Sequence, residues 1–283
     1  MIVYRKLDHE DYQDIVDISK DIWDGTDYLP QLFHQWVDDK GLFLGAVDTY
    51  SNKVVGVDKY SVLYDGTGWL EGLRVHKDYR GLGIAKQLAF KAMDQAKADL
   101  NSGKIKKIAF STHVSSVESI NLMKSMGFRL EQEYILVLKE YECLDSSLKE
   151  QDFSVNKLDM SYAEFKNLPY FEKRANILPF VFYFQEITEE LFGQLREEGC
   201  FVSINGCKGM FKFKGEPHFI CFDESIDAIN TFANYYMLML KGKSTTPPLT
   251  SVRHEDTELI EALKKAGYTT WNDWKCDYFY FVY

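Results

Sequence analysis

Apolar and polar positions change period along the chain, and the changes mark its elements. Residues 2–7 alternate and predict an opening strand, and Asp8 is placed to cap a helix over about 9–23. Asp24-Gly25-Thr26-Asp27-Tyr28-Leu29-Pro30 has turn chemistry, after which residues 31–37 predict a second short helix with Phe33 and Trp36 on one side. Alternating or apolar runs at 42–47, 54–63 and 70–75 predict three strands. Ile84, Leu88, Ala92 and Ala96 then repeat every four residues, the spacing of one helix face. An apolar strand at 105–112, a helix at 116–126 stopped by Gly127, and closing strands over 129–138 complete this half. The order predicts an α/β fold in which a mixed sheet carries helices on both faces.

Residues 143–152, CLDSSLKEQD, are polar and read as a linker between a domain at 1–142 and one at 153–283. The second is aromatic and strand-rich, with helices predicted at 188–198, 225–240 and 256–266. Sliding the chain by 140 residues lays 111–128 on 251–268 without a gap. Ser111 meets Ser251, Glu118 meets Glu258, Ile120 meets Ile260, Lys124 meets Lys264 and Gly127 meets Gly267. The second half therefore reads as a decayed copy of the first. The terminal run Tyr278-Phe279-Tyr280-Phe281-Val282-Tyr283 would invite aggregation if exposed and is expected to be buried.

A formal net charge of −10 over 283 residues argues against a nucleic-acid partner, which requires a basic surface. There is no apolar run of membrane-spanning length, and the N-terminus reads as a strand entering a helix rather than a signal peptide. Five cysteines without C-x-x-C spacing suggest reduced thiols, a cytoplasmic setting and no metal site. Oligomeric state is left open.

The chemistry centres on Arg80-Gly81-Leu82-Gly83-Ile84-Ala85, between the strand at 70–75 and the long helix. Strand, glycine turn and helix N-terminus together build an anion site, because the first helical N–H groups have no internal partner. No Lys-Ser or Lys-Thr pair follows, so this is not a Walker loop, and Lys86 stands where a dinucleotide fingerprint needs its third glycine. What remains, Arg-x-x-Gly-x-Ala, resembles the signature of the GNAT acetyltransferase superfamily. The likeness covers residues 1 to about 140 and includes Met126-Gly127-Phe128 before the last strands.

The resemblance implies a GNAT fold followed by a degenerate GNAT-like copy, and acetyl-coenzyme A as co-substrate. It implies that Arg80, Gly81, Leu82, Gly83, Ile84 and Ala85 hold the pyrophosphate. Backbone groups of Leu73 and Val75 would hold the pantetheine arm. Ser116 stands where many members have a cofactor-binding Asn, and Met123 where many have a Tyr proposed as general acid. Glu71 lies on the strand where the family often places its base. The copy has Ile220-Cys221-Phe222-Asp223-Glu224-Ser225 opposite the loop, without glycine and with two carboxylates, so it should not bind coenzyme A and is expected to serve as a cover.

A narrower resemblance, to the histidine N-acetyltransferases and their bacterial relatives, rests on the segments at 18–22, 27–30 and 70–75 with His34 and Trp36. It implies an acceptor pocket with Tyr28, His34 and Trp36, and Arg74 as a carboxylate partner unless strand alternation turns it away. The expected function is acetyl transfer to a small amine, a free amino acid such as histidine. Competing readings are a cationic antibiotic or polyamine as acceptor, or a non-catalytic acyl-CoA sensor. A peptide N-terminus fits less well, since a covering second domain would close the groove it needs.

Overall fold

The computed structural model describes residues 1–180, 182–214 and 216–283, with backbone alone at Asp24 and Lys214. The elements of the first half are β1 (Ile2–Lys6), α1 (Tyr12–Ser19), α2 (Leu29–Asp38), β2 (Gly41–Asp48), β3 (Lys53–Val62), β4 (Thr67–Val75), α3 (Ile84–Asn101), β5 (Lys107–His113), α4 (Val117–Ser125) and β6 (Arg129–Leu138). Those of the second are β7 (Val155–Lys157), α5 (Tyr162–Lys166), β8 (Ile177–Phe180), β9 (Tyr183–Glu186), α6 (Glu189–Glu197), β10 (Phe201–Ile204), β11 (Cys207–Lys214), β12 (Glu216–Cys221), α7 (Ile226–Leu240), β13 (Thr250–Arg253), α8 (Thr257–Lys265), β14 (Thr269–Thr270) and β15 (Tyr278–Val282).

Strands β1 to β4 pair antiparallel in sequence, and β4 pairs parallel with β5 at Thr67, Gly68 and Trp69. Alternation sorts the side chains of β2 and β3 to two faces. Phe43, Val47, Val54 and Val57 pack with Ile15, Ile18, Leu29, Phe33 and Trp36 of α1 and α2. Leu44, Ala46 and Val55 pack with Ile84 and Leu88 of α3. Asp8 caps the first turn as its sequence predicts, but that helix is broken: a 3-10 turn at His9–Asp11 precedes α1, and a second at Trp23–Gly25 follows it.

The second half repeats this plan. β7, β10, β11 and β12 form an antiparallel sheet in which β10 lies between β7 and β11, and His218 of β12 makes an isolated parallel bridge with Leu249, the residue before β13. Helices α4 and α8 have equal length and lie 140 residues apart, and the glycines that stop them, Gly127 and Gly267, both have positive φ. The chain thus follows a mixed α/β plan, and its second half repeats part of the strand and helix order of the first.

The compact units do not divide at residues 143–152. One holds Met1–Phe110, Leu122–Arg129 and Val282–Tyr283; the other holds Ser111–Asn121 and Leu130–Phe281. Most of β6, expected to close the first half, lies in the second unit, where it pairs with β13 and β14, and its Leu136 N–H donates to the Asp277 carboxylate at 2.9 Å. Conversely, Tyr283 belongs to the first unit: its N–H donates to the Ile108 carbonyl, and its ring packs against Phe128 and below the Lys97 ammonium. Strand pairing joins residues far apart in sequence, so a polar segment does not by itself mark where a unit ends. Of the terminal run expected to be buried, Tyr280 and Phe281 are buried, Tyr278, Phe279 and Val282 are half-buried, and Tyr283 is exposed.

Candidate active site

The loop after β4 is open on the side that matters. Gly81 has φ +78° and Gly83 φ +76°, and a Cβ added at either would meet nothing within 4 Å. Two left-handed residues either side of Leu82 give a backbone that glycine adopts without strain and that no side chain covers on this side. Gly83 caps α3 with no side-chain hydrogen bond, and the first turn of α3 contains no acid. Ile84 is buried beneath the loop, Ala85 half-buried, and Leu82 68% exposed. Arg80 is exposed and donates from Nε to the Val75 carbonyl at 3.2 Å, which fixes its base beside the loop. These residues fit a pyrophosphate: uncapped amides, an uncovered backbone and a guanidinium beside it.

The corresponding turn of the second unit is closed by its own side chains. Glu224 accepts from Arg174 Nη2 at 2.5 Å, with Arg174 1% exposed. Asp223 accepts from the Lys208 N–H, and Ser225 caps α7.

Upstream of the loop, β4 departs from regular alternation. Lys59 of β3 faces Glu71 and Val57 faces Arg74, so one residue on β3 opposes two on β4. Gly72, at φ +77°, makes this bulge. Glu71 and Arg74, three apart, would otherwise point to opposite faces; the bulge turns both toward α2. Any larger residue at Gly72 would strike Trp36. On the same side of the sheet, the Ser61 hydroxyl donates to Glu71 at 2.8 Å.

Two buried cations hold α2 against this face. Lys59 is fully buried and donates to the Trp36 carbonyl in the last turn of α2, at 2.7 Å. Burial draws its ammonium below the ordinary lysine pKa, against the pull of Asp39 and Glu71. Arg74 donates from Nε and Nη2 to Asp27, just before α2. Burial disfavours the guanidinium charge, but Tyr28 and Asp27 outweigh it and raise its pKa. Asp58, at the bulge, is buried, and desolvation raises its carboxyl well above the usual range.

Tyr28 and Trp36 meet edge to face at 6.2 Å on this side of the sheet. His34 does not join them. It is exposed, with its Nδ1 2.9 Å from that of His9 and Tyr12 stacked on its ring at 5.0 Å. Two residues before Trp36, it lies about 200° round the helix from the buried face. Ser116 precedes α4 in the other compact unit and is not grouped with the loop. Met123 is buried. Leu73 and Val75 turn their side chains to the α3 core, leaving their backbone as the part that could contact a ligand. The sequence reading passed over Asp27 as a turn residue and Trp23 as the end of a helix.

The family model described as Acetyltransferase (GNAT) family matches residues 7–128. Over this segment the chain is similar to the GNAT acetyltransferases. Family members use acetyl-CoA. Histidine N-acetyltransferase of Oreochromis niloticus is 36% identical over 77 residues, which is 27% of this chain and 23% of that protein. Histidine N-acetyltransferase of Xenopus tropicalis is 30% identical over 110 residues, 38% of this chain and 34% of that protein. The chain therefore matches about a third or less of these relatives' length. The crystal structure of a GCN5-related N-acetyltransferase from Sphaerobacter thermophilus superposes over 100% of this chain and 95% of its own, with TM-score 0.65 at 11% identity, and shares the fold. Among the described residues, no helix is long and apolar enough to cross a membrane.

Proposed function

We propose that this protein transfers the acetyl group of acetyl-CoA to the amine of a free amino acid, with histidine the leading candidate. The observation that carries the cofactor assignment is the uncapped α3 N-terminus beneath two left-handed glycines. Support for the acceptor is the partial likeness to histidine N-acetyltransferases together with an acid, a guanidinium and two aromatic rings on one face. Arg80 and the loop amides would bind the pyrophosphate, and the backbone of Leu73 and Val75 the pantetheine. Ser116, at the family's Asn position, is kept as a cofactor contact to be tested by substitution.

Acetyl-CoA supplies an activated thioester. The acceptor arrives as an ammonium, and the Glu71 carboxylate takes one proton from it. The free amine nitrogen bonds to the acetyl carbon, the C–S bond breaks, the nitrogen releases its second proton to solvent to leave a neutral amide, and the thiolate leaves to be protonated from solvent. No side chain need supply that proton, since a thiolate is a tolerable leaving group, and Met123 could not. Met123 is also what favours a second reading, a non-catalytic acyl-CoA sensor. Thiol release with each of the twenty amino acids tests both. Turnover with histidine far above leucine supports the first reading, and acetyl-CoA binding without turnover on any amine supports the second.

A further inference from the structure

Arg74 is held by more partners than an ordinary strand residue. Its Nε donates to Asp27 Oδ2 at 3.2 Å, its Nη2 to Asp27 Oδ1 at 3.3 Å and its Nη1 to the Leu73 carbonyl at 3.1 Å. The Asp27 side chain is completely buried, whereas Arg74 keeps 12% of its side chain exposed. The guanidinium carbon lies 4.8 Å from the Trp23 ring centre and 5.5 Å from that of Tyr28, and the rings are 5.9 Å apart. These lengths close a triangle without a wide angle, so both rings lie to one side of the guanidinium. A guanidinium has five N–H groups. Asp27 and Leu73 take three and Tyr28 engages a fourth, which leaves one N–H group on the terminal nitrogens to donate to a carboxylate in a charge-assisted hydrogen bond.

We propose that Asp27, Trp23 and Tyr28 position Arg74 to read the carboxylate of the acceptor, so that the substrate class is an amine bearing a carboxylate and the decarboxylated amine is refused. The inference rests on the N-acetyltransferase reading above. Spacing supports it. Glu71 and Arg74 lie opposite Lys59 and Val57, two residues apart on β3, which is roughly 7 Å along the strand. Side chains of this length can close on the two ends of a zwitterion from there, the acid at the ammonium and the guanidinium at the carboxylate. Asp27 and the two rings are positioning groups: they fix which edge of Arg74 is presented.

The test uses the full chain with acetyl-CoA and thiol release. The best acceptor among the amino acids, histidine first, is compared with its methyl ester and its decarboxylated amine. The free amino acid should exceed both by on the order of 100-fold in kcat/KM, mostly through KM. Arg74→Gln should bring the three acceptors within about threefold of one another. Asp27→Asn should raise KM for the free amino acid roughly tenfold, and by clearly more than it changes KM for the decarboxylated amine. The wild-type comparison needs no variant, and so stands even if loss of a buried charge unfolds one. Equal use of the three acceptors by the wild type, or an equal loss on all three in Arg74→Gln, would overturn the carboxylate role while leaving the acetyltransferase reading intact. Absence of turnover with every amine would overturn both.

Discussion

Replacing Gly72 by alanine probes the bulge on which the face depends. Two costs add. A left-handed backbone costs an L-residue about 1–2 kcal/mol. The new Cβ would also lie 2.6 Å from Cζ3 and 3.0 Å from Cη2 of Trp36, which is 2% exposed and has no room to swing away. Overpacking of this kind costs about 1–3 kcal/mol. Gly72→Ala should therefore lose ~2–5 kcal/mol of stability. In a Trp36→Leu background the indole atoms are gone, and only the backbone cost of about 1–2 kcal/mol should remain. The double-mutant cycle then gives a coupling of ~1–3 kcal/mol. Urea unfolding of the four proteins, followed by far-UV circular dichroism on the transition that carries the first unit, measures it. The same alanine loss in both backgrounds would show that Trp36 does not clamp the bulge. A loss below about 0.5 kcal/mol would show that the left-handed turn itself is dispensable. If alanine instead slips β4 by one residue, Arg74 turns to the other face, and acceptor KM in Gly72→Ala should no longer respond to Arg74→Gln.

Other outcomes follow from the same geometry. Gly83→Ala meets no neighbour, so it should cost only about 1–2 kcal/mol of stability, yet coenzyme A affinity should fall much further because the Cβ stands in the cradle; an unchanged Kd by calorimetry would remove the loop from the site. Calorimetry of the wild type should find one coenzyme A per chain, and two equivalent sites would contradict the closed turn at Glu224. Glu71→Gln should lower kcat by roughly 100-fold with acetyl-CoA affinity unchanged, and near-normal turnover from pH 6 to 9 (an assay range) would assign the proton to another group. Burial lowers the His218 pKa from 6.5 to about 3. The unfolded chain thus takes up a proton that the folded chain refuses, so this contribution is present above 6.5 and is lost as pH falls toward 3. The slope is roughly 1.4 kcal/mol per pH unit, and His218→Gln should remove it from the difference between variant and wild-type stability curves.

The sequence was most informative where the information is local. The glycine loop, the helix after it and the cap at Asp8 are set by neighbours in the chain, and Thr188, Ser225 and Asp256, where helices were expected to start, also accept backbone hydrogen bonds as caps. The repeat was legible because α8 kept the length and stop signal of α4. Alternation failed at Gly72: a period-2 pattern carries no mark of an extra residue, so the side on which Arg74 lies could not be read. His34 was misplaced because three-residue and four-residue spacings on a short helix admit more than one face. Asp27 has the chemistry of a turn residue, and its partner lies 47 positions downstream, beyond the reach of any local signal. Residues 129–138 were read correctly as strand, but their pairing with Thr250–Arg253 was out of reach for the same reason at longer range, since it is not written in either segment alone.

The return of Val282–Tyr283 to the first unit bears on how the protein is made. A ribosome emits the amino end first, and domains ordinarily fold as they emerge. Here the first unit waits for residues about 150 positions beyond the rest of its chain. At 5–20 residues per second that delay is roughly 8–30 s. Through that interval the nascent amino-terminal half lacks the tyrosine that later packs on Phe128, and so offers an unfinished edge to chaperones. Completion of the first unit thereby awaits synthesis of residues 282–283.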